Sequence, residues 1–397
     1  MIVAAVVLLV ARVTAAQHAP ALFTLPLGGR QPAPPVSHWR LQVELRVGAN
    51  ESGAPYEFTE ISQVVPTADA VFVRQTEQQE IRVFDAAGIF QRAIGRRGGG
   101  PGEFQGLWAF GIYTDTLWTL DFALRRVTLF ATNGKLLKTV TFDAVPPTLG
   151  SRGNYFATYP VARQRNGILL GFGGTSGQAM AAGLVKATPL LRMSPSGRTT
   201  DTLGWVSITH ENMILRSPKG TSYRVQPFND APLTAYAAAQ RRIFVVDRRA
   251  AVSRAASYGV VALRSAGDTA WSRRFAYTPV AMDRRVADSV RKMMHRAYRS
   301  RYPITMIDDS LFIPKFQPPV SEAFAGEDGT LWLRREGLLA KARYDVVDAN
   351  GVLRARVEAG RSIRLRWVSG TTAWGQELDE NDVPTLVRYR IMPATTR

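Results

Sequence analysis

The chain has 397 residues, 46% of them hydrophobic and 21% charged, which excludes a disordered or fibrous polymer. It contains no Cys, which removes disulfides, Cys-ligated zinc, iron–sulfur clusters, a Cys nucleophile and a lipidated N-terminal Cys. Lys and Arg number 50 against 32 Asp and Glu, a net charge of +18. The arginines are scattered rather than clustered, which speaks against a nucleic-acid footprint and for weak adhesion to anionic surfaces at low salt.

Ile2 to Ala11 is an unbroken apolar run, followed by Arg12 and the small residues of Val13-Thr14-Ala15-Ala16. This predicts a signal peptide over residues 1–16, although no Lys or Arg precedes the run. The run is too short for a bilayer span, which takes about 20 residues. Export and the lack of Cys together predict a periplasmic or secreted protein that is not a lipoprotein. Residues 17–36 carry Pro20, Pro26, Pro32, Pro34 and Pro35 with Gly28 and Gly29, a linker composition. Trp39, Leu41, Val43, Leu45 and Val47 then alternate as a half-buried strand with no repeat unit of its own.

From there one unit recurs. Val71-Phe72-Val73 is followed by Ile81-Arg82-Val83-Phe84 and Gly88; Leu117-Trp118-Thr119 is followed by Val127-Thr128-Leu129-Phe130 and Gly134. Weaker copies end at Met193 and Gly197, Leu263 and Gly267, and Val347 and Gly351. Period-two alternation makes strands, and Gly supplies the positive φ of a tight hairpin. Ile363 to Trp367, Thr371 to Trp374 and Leu386 to Ile391 supply a sixth unit. Small antiparallel sheets bury their faces by packing radially against one another. The pattern predicts an all-β protein: a single six-bladed β-propeller of four-stranded blades over residues 37–393. The strand at 39–47 is expected to pair with the C-terminal blade and close the ring.

The segment Gly95-Arg96-Arg97-Gly98-Gly99-Gly100-Pro101-Gly102-Glu103-Phe104 resembles the blade connector of NHL-repeat propellers, in which a Gly-rich turn and a Gly-x-Phe lead into the next blade. The chain as a whole resembles exported bacterial six-bladed propellers of the TolB-like group. That resemblance implies the fold and little about function. Some NHL propellers, the peptide-amidating lyases, hold zinc with three His. Here His18 falls in the linker and His295 in a predicted helix, leaving only His38 and His210, so that chemistry does not carry over. Lactonase-type propellers hold a divalent cation such as calcium in the channel. The acidic runs here, Asp308-Asp309, Glu327-Asp328 and Asp379-Glu380-Asn381-Asp382, read as turns. No metal ligand set and no cofactor is assigned.

The Gly-rich connector lacks the Lys-Ser/Thr of a phosphate loop, and Glu103 occupies the last Gly position of a dinucleotide fingerprint. It reads as a turn in which Glu103 pairs with Arg96 or Arg97. The one helix spans Asp283 to Arg299. Val286, Val290, Met293, Met294 and Ala297 form its apolar stripe; Arg284, Arg291, Lys292 and Arg296 lie on the basic face and make it the candidate partner-binding element. Tyr155, Phe156 and Tyr159 fall in a Gly/Pro-flanked loop and read as packing residues, the alternative being a rim pocket for a sugar or peptide. Candidate ligand-binding residues are Arg97, Glu103, Trp108 and Arg125, all near blade ends. The function expected is a non-catalytic binding scaffold for a protein, peptide or glycan; the alternative is a metal-dependent lyase or lactonase working in the channel.

Overall fold

The computed structural model describes residues 35–48, 52–142, 155–175, 179, 184–207, 213–218, 220–224, 228–238, 240–249, 256–301, 306–307, 313–336 and 341–394. The signal-peptide reading of residues 1–16, nearly all of the linker, His210 and Asp308-Asp309 lie outside the described residues.

Six four-stranded antiparallel blades follow one another along the chain. Blade 1 is Val64–Pro66, Ala70–Gln75, Glu80–Asp85 and Phe90–Ile94. Blade 2 is Leu107–Tyr113, Thr116–Asp121, Arg126–Ala131 and Leu136–Thr141. Blade 3 is Tyr155–Arg163, Leu169–Thr175, Ala187–Met193 and Thr199–Ser207, and blade 4 is Leu233–Ala237, Arg242–Asp247, Ala256–Arg264 and Thr269–Tyr277. Blade 5 is Glu322–Ala325, Leu331–Glu336, Lys341–Val347 and Leu353–Gly360. Blade 6 takes Ile363–Ser369, Thr372–Leu378 and Pro384–Pro393 from the C-terminus, and its outer strand, Ser37–Arg46, from the N-terminal end of the described chain.

Ser37–Arg46 pairs antiparallel with Pro384–Pro393, Leu41 opposite Ile391 and Val43 opposite Tyr389. Its first residues also pair in parallel with the outer strand of blade 5, Trp39 opposite Val357. Glu44 forms ion pairs with Arg388 and Arg390 across this seam, and Arg46 with Glu377.

The core lies between blades. Phe72, Ile81 and Val83 of blade 1 pack with Phe110, Leu117 and Phe130 of blade 2. Further clusters join blades 2 and 3 through Leu120 and Leu169, 3 and 4 through Leu190 and Val245, 4 and 5 through Phe244 and Leu331, and 5 and 6 through Trp332 and Leu365. A last cluster joins Trp374 and Leu386 of blade 6 to Val71 and Phe84 of blade 1, so the ring is closed by side chains as well as by the seam. Burial of apolar surface between blades is therefore the main stabilising term, since no blade can cover its own faces.

Gly88, Gly134, Gly197, Gly267 and Gly351 all have positive φ, and each N–H bonds the carbonyl three residues earlier: one turn, between third and fourth strands, repeated in five blades. Asp85 and Asp348 brace two of these turns by accepting two backbone N–H bonds each.

The topology makes the two ends of the ring unequal. Connectors from second to third strands, and between blades, all open on one end, the connector end. The connectors from first to second strands close the other, the turn end, with two to five residues each. The connector end carries the Gly-rich segment and two insertions flanking blade 4. A hairpin, Met213–Ser217 with Gly220–Arg224, precedes that blade; a helix, Arg284–Arg301, follows it, and Met306–Ile307 after the helix pairs with the hairpin. Asp283 caps the helix by accepting from Arg285 N–H at 2.8 Å.

Two sequence expectations need correction. Tyr155, Phe156 and Tyr159 are not in a loop but in the inner strand of blade 3, because Gly171 and Gly174 on the facing strand leave the room that Tyr159 occupies and let the pairing continue. The helix buries Ala287, whose small side chain allows close approach, while Val286 and Met293 of the supposed apolar stripe are 46% and 61% exposed.

Candidate functional site

The Gly-rich connector is a self-bonded loop. Glu103 accepts from Arg96 Nε at 2.8 Å and from Gly100 N–H at 2.8 Å. These two bonds, the backbone one foremost, hold its carboxyl below the usual carboxylate range. Phe104 is fully buried in the cluster between blades 1 and 2, with its ring against Gly95 (φ +78°). A Cβ at position 95 would stand 2.1 Å from Phe104 Cε2, so Gly is required there on two counts. Arg97 donates to Glu77 O. Arg125 has positive φ and its Nη2 reaches Phe142 O at 3.1 Å. Arg97, Glu103 and Arg125 thus sit at the connector end with their polar groups engaged in bracing loops.

Trp108 is different. The pairing of the inner and second strands of blade 2 skips one residue between Leu107 and Ala109, and Trp108 is that residue. A bulge throws its side chain out of the regular alternation. The indole is 53% exposed and meets the edge of Phe122, itself 44% exposed, at 5.9 Å; Phe122 meets Tyr159 of blade 3 at 6.3 Å. The three rings form an aromatic ledge over blades 2 and 3.

Opposite in character is an arc of arginines on blades 6 and 1, tied to a carboxylate of blade 5, which the sequence pattern does not single out. Glu322, the first residue of the inner strand of blade 5, pairs with Arg364 and, at 2.9 Å, with Arg366. Arg366 also donates Nε to Ile61 O at 2.9 Å. The neighbouring Ser62 Oγ accepts from Arg74 Nε at 3.0 Å, and Arg74 Nη1 reaches Leu107 O, in the peptide leading to Trp108, at 3.4 Å. Arg74 has no ion pair among the described residues. Burial, with the nearby Arg366 charge also acting in that direction, pushes its guanidinium down to about 10 despite Glu60. Arg364 and Arg366 alternate with apolar Leu365 along a strand, a pattern that any half-buried strand shows. Only the tertiary arrangement brings them to Arg74.

At the turn end of the channel phenols and a carboxyl are buried together. Tyr113 donates its hydroxyl to Arg163 O, Tyr236 lies against Gln164, and Glu327 lies against Trp367. Burial pushes the Tyr113 phenol up to about 12, and raises Tyr236 and the Glu327 carboxyl above their ordinary values. Glu327 acts on the Tyr113 phenol and Tyr113 on that of Tyr236, so groups from blades 2, 4 and 5 approach one another here.

The helix carries Arg291, Lys292, His295 and Arg296 around a shallow pocket of about 400 Å³. Arg291 pairs with Asp288 at 3.2 Å, while Arg284, Lys292 and Arg296 make no ion pair among the described residues. At the turn end, Trp367, Trp374, Arg388 and Glu44 line a cleft of about 390 Å³ in the seam between blades 6 and 1. Asp379 accepts from Asn381 and Val383 N–H, and Asp328 from Thr330, so these acidic runs are turns. Among the described residues no three His, Asp or Glu converge as a metal ligand set. No described helix is long and apolar enough to cross a membrane.

The fold and its two unequal ends define the class: a six-bladed β-propeller with an elaborated connector end. Comparison with known proteins agrees. A family model described as a 6-bladed beta-propeller, DUF5128, matches residues 54–167. The structure resembles that of a DUF4221 family member from Bacteroides vulgatus, with a TM-score of 0.51 at 9% identity, over 90% of this chain and 99% of that one. It also aligns with the calcium-binding protein regucalcin from Agrobacterium tumefaciens, with a TM-score of 0.41 at 13% identity, over 90% of this chain and 97% of that one. At these identities the likeness is one of fold. No curated protein matches the chain at a significant level.

Proposed function

We propose that this protein is an exported, non-catalytic binding scaffold that takes a peptide or glycan over the connector end of its channel. The observation that carries the reading is the contrast within one ring of contacts at that end. An exposed aromatic ledge at Trp108, Phe122 and Tyr159 adjoins an arc of arginines that outnumbers its carboxylates. Exposed aromatic groups beside unpaired cations are features of recognition surfaces. The basic helix is a second contact surface of the same end, suited to an acidic partner or an anionic surface.

The test is to titrate the purified mature protein with peptide and oligosaccharide libraries, with and without calcium, following tryptophan fluorescence and analysing the ligands by mass spectrometry. Binding that leaves the ligand intact, and that is lost in Trp108→Ala, is the expected result. Turnover, or a stoichiometric divalent ion that raises the melting temperature, would replace this reading with the enzymatic one.

A further inference from the structure

We propose that Arg74 and Arg366 form an anion-binding pole at the connector end of the channel, and that its ligand is an acidic saccharide whose uronate carboxylate bridges the two guanidinium groups while a sugar ring lies on Trp108. The inference deepens the scaffold reading and rests on it for the place of binding.

Three observations carry it. First, Trp108 and Arg366 share a backbone device. Arg366 is skipped between Leu365 and Trp367 in the inner strand of blade 6, as Trp108 is skipped in blade 2. The first bulge presses on the next strand so closely that a Cβ at Gly375 would stand 2.3 Å from Arg364 O. Each bulge gives up regular pairing and redirects one side chain, a device found beside functional sites. The inner strand of blade 3 skips residues in the same way, so the bulge recurs in the fold; in blades 2 and 6 the residues it redirects are an aromatic and a cation at the same end of the channel.

Second, the charge does not balance. Glu322 is shared by Arg364 and Arg366, and Arg74 has only the neutral acceptors Ser62 Oγ and Leu107 O. Nη2 of Arg74 and Nη2 of Arg366 have no acceptor among the described residues. Glu60 lies near Arg74 but forms no ion pair with it, and a carboxylate that accepts directly from such a half-buried guanidinium offsets its desolvation with charge-assisted hydrogen bonds.

Third, the groups are continuous. Glu322, Arg366, Ile61, Ser62, Arg74 and Leu107 follow one another through direct contacts to Trp108, and the rings of Phe122 and Tyr159 extend the line to blade 3. A ligand spanning the mouth therefore meets cations on one side and flat rings on the other. The C–H face of a pyranose packs on an exposed indole, and the carboxylate at C5 of a uronate extends from the same ring. A peptide adding as a strand would need a regular row of backbone donors and acceptors, which the two bulges interrupt.

The experiment is calorimetric titration of the mature protein with trimers of galacturonate, glucuronate and mannuronate, each beside its methyl ester, which keeps the sugar and removes the charge. The expected result is that at least one acid trimer binds and its ester binds at least tenfold more weakly. Arg366→Gln and Arg74→Gln should each weaken the acid tenfold or more without further weakening the ester, and Trp108→Ala should weaken both forms. Melting curves of every variant, with Arg74→Lys as the charge-retaining control, separate loss of binding from loss of fold. Esters that bind as well as the acids overturn the proposal, as do variants that bind normally, acid trimers that all fail to bind, or an acidic peptide that binds through the same arginines in preference to the sugars. Cleavage of a bound trimer, read by mass spectrometry with the arginine dependence intact, would remove the scaffold reading and leave the acidic-saccharide site standing. Intact trimers that do not bind would do the reverse.

Discussion

The two ends of the channel are made from the same six strands and solve different problems. At the turn end the chain reverses in two to five residues, and the groups meeting there are phenols and a carboxyl whose ionisation burial disfavours. At the connector end the chain wanders through long links, and the inner strands are broken by bulges that redirect Trp108 and Arg366. The difference teaches where a propeller can vary. Turns between adjacent strands must match the strand twist, so they are short and Gly-dependent. Connectors between blades have only to reach, so they can take insertions and carry exposed or charged side chains.

The largest effect should come from removing what holds both ends together. A chain starting at Val47 lacks the outer strand of blade 6 and exposes the apolar surface that Trp39, Leu41 and Leu45 cover. Full burial of a large apolar side chain is worth about 1.5–3 kcal/mol, and with these three partly buried the loss is still a sizeable fraction of the stability of a typical domain. Loss of the cooperative thermal transition is expected, and a chain that still melts cooperatively would show that the seam is dispensable.

A pair of substitutions separates the ends more sharply. Gly329→Ala places a Cβ 2.7 Å from Gln240 Cδ, within the turn end, at a residue with φ of +83°, and should cost about 1–2 kcal/mol in urea unfolding without changing ligand affinity. Trp108→Ala removes an exposed ring, should stay within about 0.5 kcal/mol of the parent, and should abolish binding at the connector end. The reverse pattern would mean that the ends have been assigned the wrong way round.

Alkaline titration probes the turn end next. The Tyr113 phenol ionises at about 10 when unfolded and about 12 when folded, so the stability it supports is complete below pH about 10 and is lost as the pH rises towards about 12. Absorbance of the phenolate should show Tyr113 titrating late and together with unfolding, and Tyr113→Phe should remove part of that dependence. The smallest effect is expected at the connector. The Glu103 carboxyl is held low, so the support it lends the loop is present above its unfolded pKa and fades as the pH falls through the folded one. Protection of the Gly100 N–H against hydrogen exchange, taken relative to its intrinsic rate at each pH, should fall in acid, and in Glu103→Gln at neutral pH.

How much of this was legible in the chain follows from the range of the interactions. The recurrence of Gly88, Gly134, Gly197, Gly267 and Gly351 after paired apolar strands was legible because a hairpin is local, and its positive φ falls on one residue. The role of Glu103 as a brace was legible because its partner Arg96 is only seven residues away. Arg74 and Arg366 were not legible, because the contacts that join them run through Ile61 and Ser62 from opposite ends of the chain. The helix misled for a related reason. Its spacing showed a stripe, but which side is covered depends on what packs against it, and that side is centred on Ala287.

The amino-acid sequence by itself determined the strand–turn repeat and the all-β class, since alternation, Gly turns and β-branched runs act over a few residues. It also determined that no chemistry here depends on Cys, and that Arg would dominate the charged surface. Only the tertiary structure decided which arginines share one carboxylate, which aromatic ring is turned outward, and which end of the channel carries both. Those outcomes depend on ring closure and on the two bulges, and pairing between strands hundreds of residues apart leaves no periodic trace in the chain.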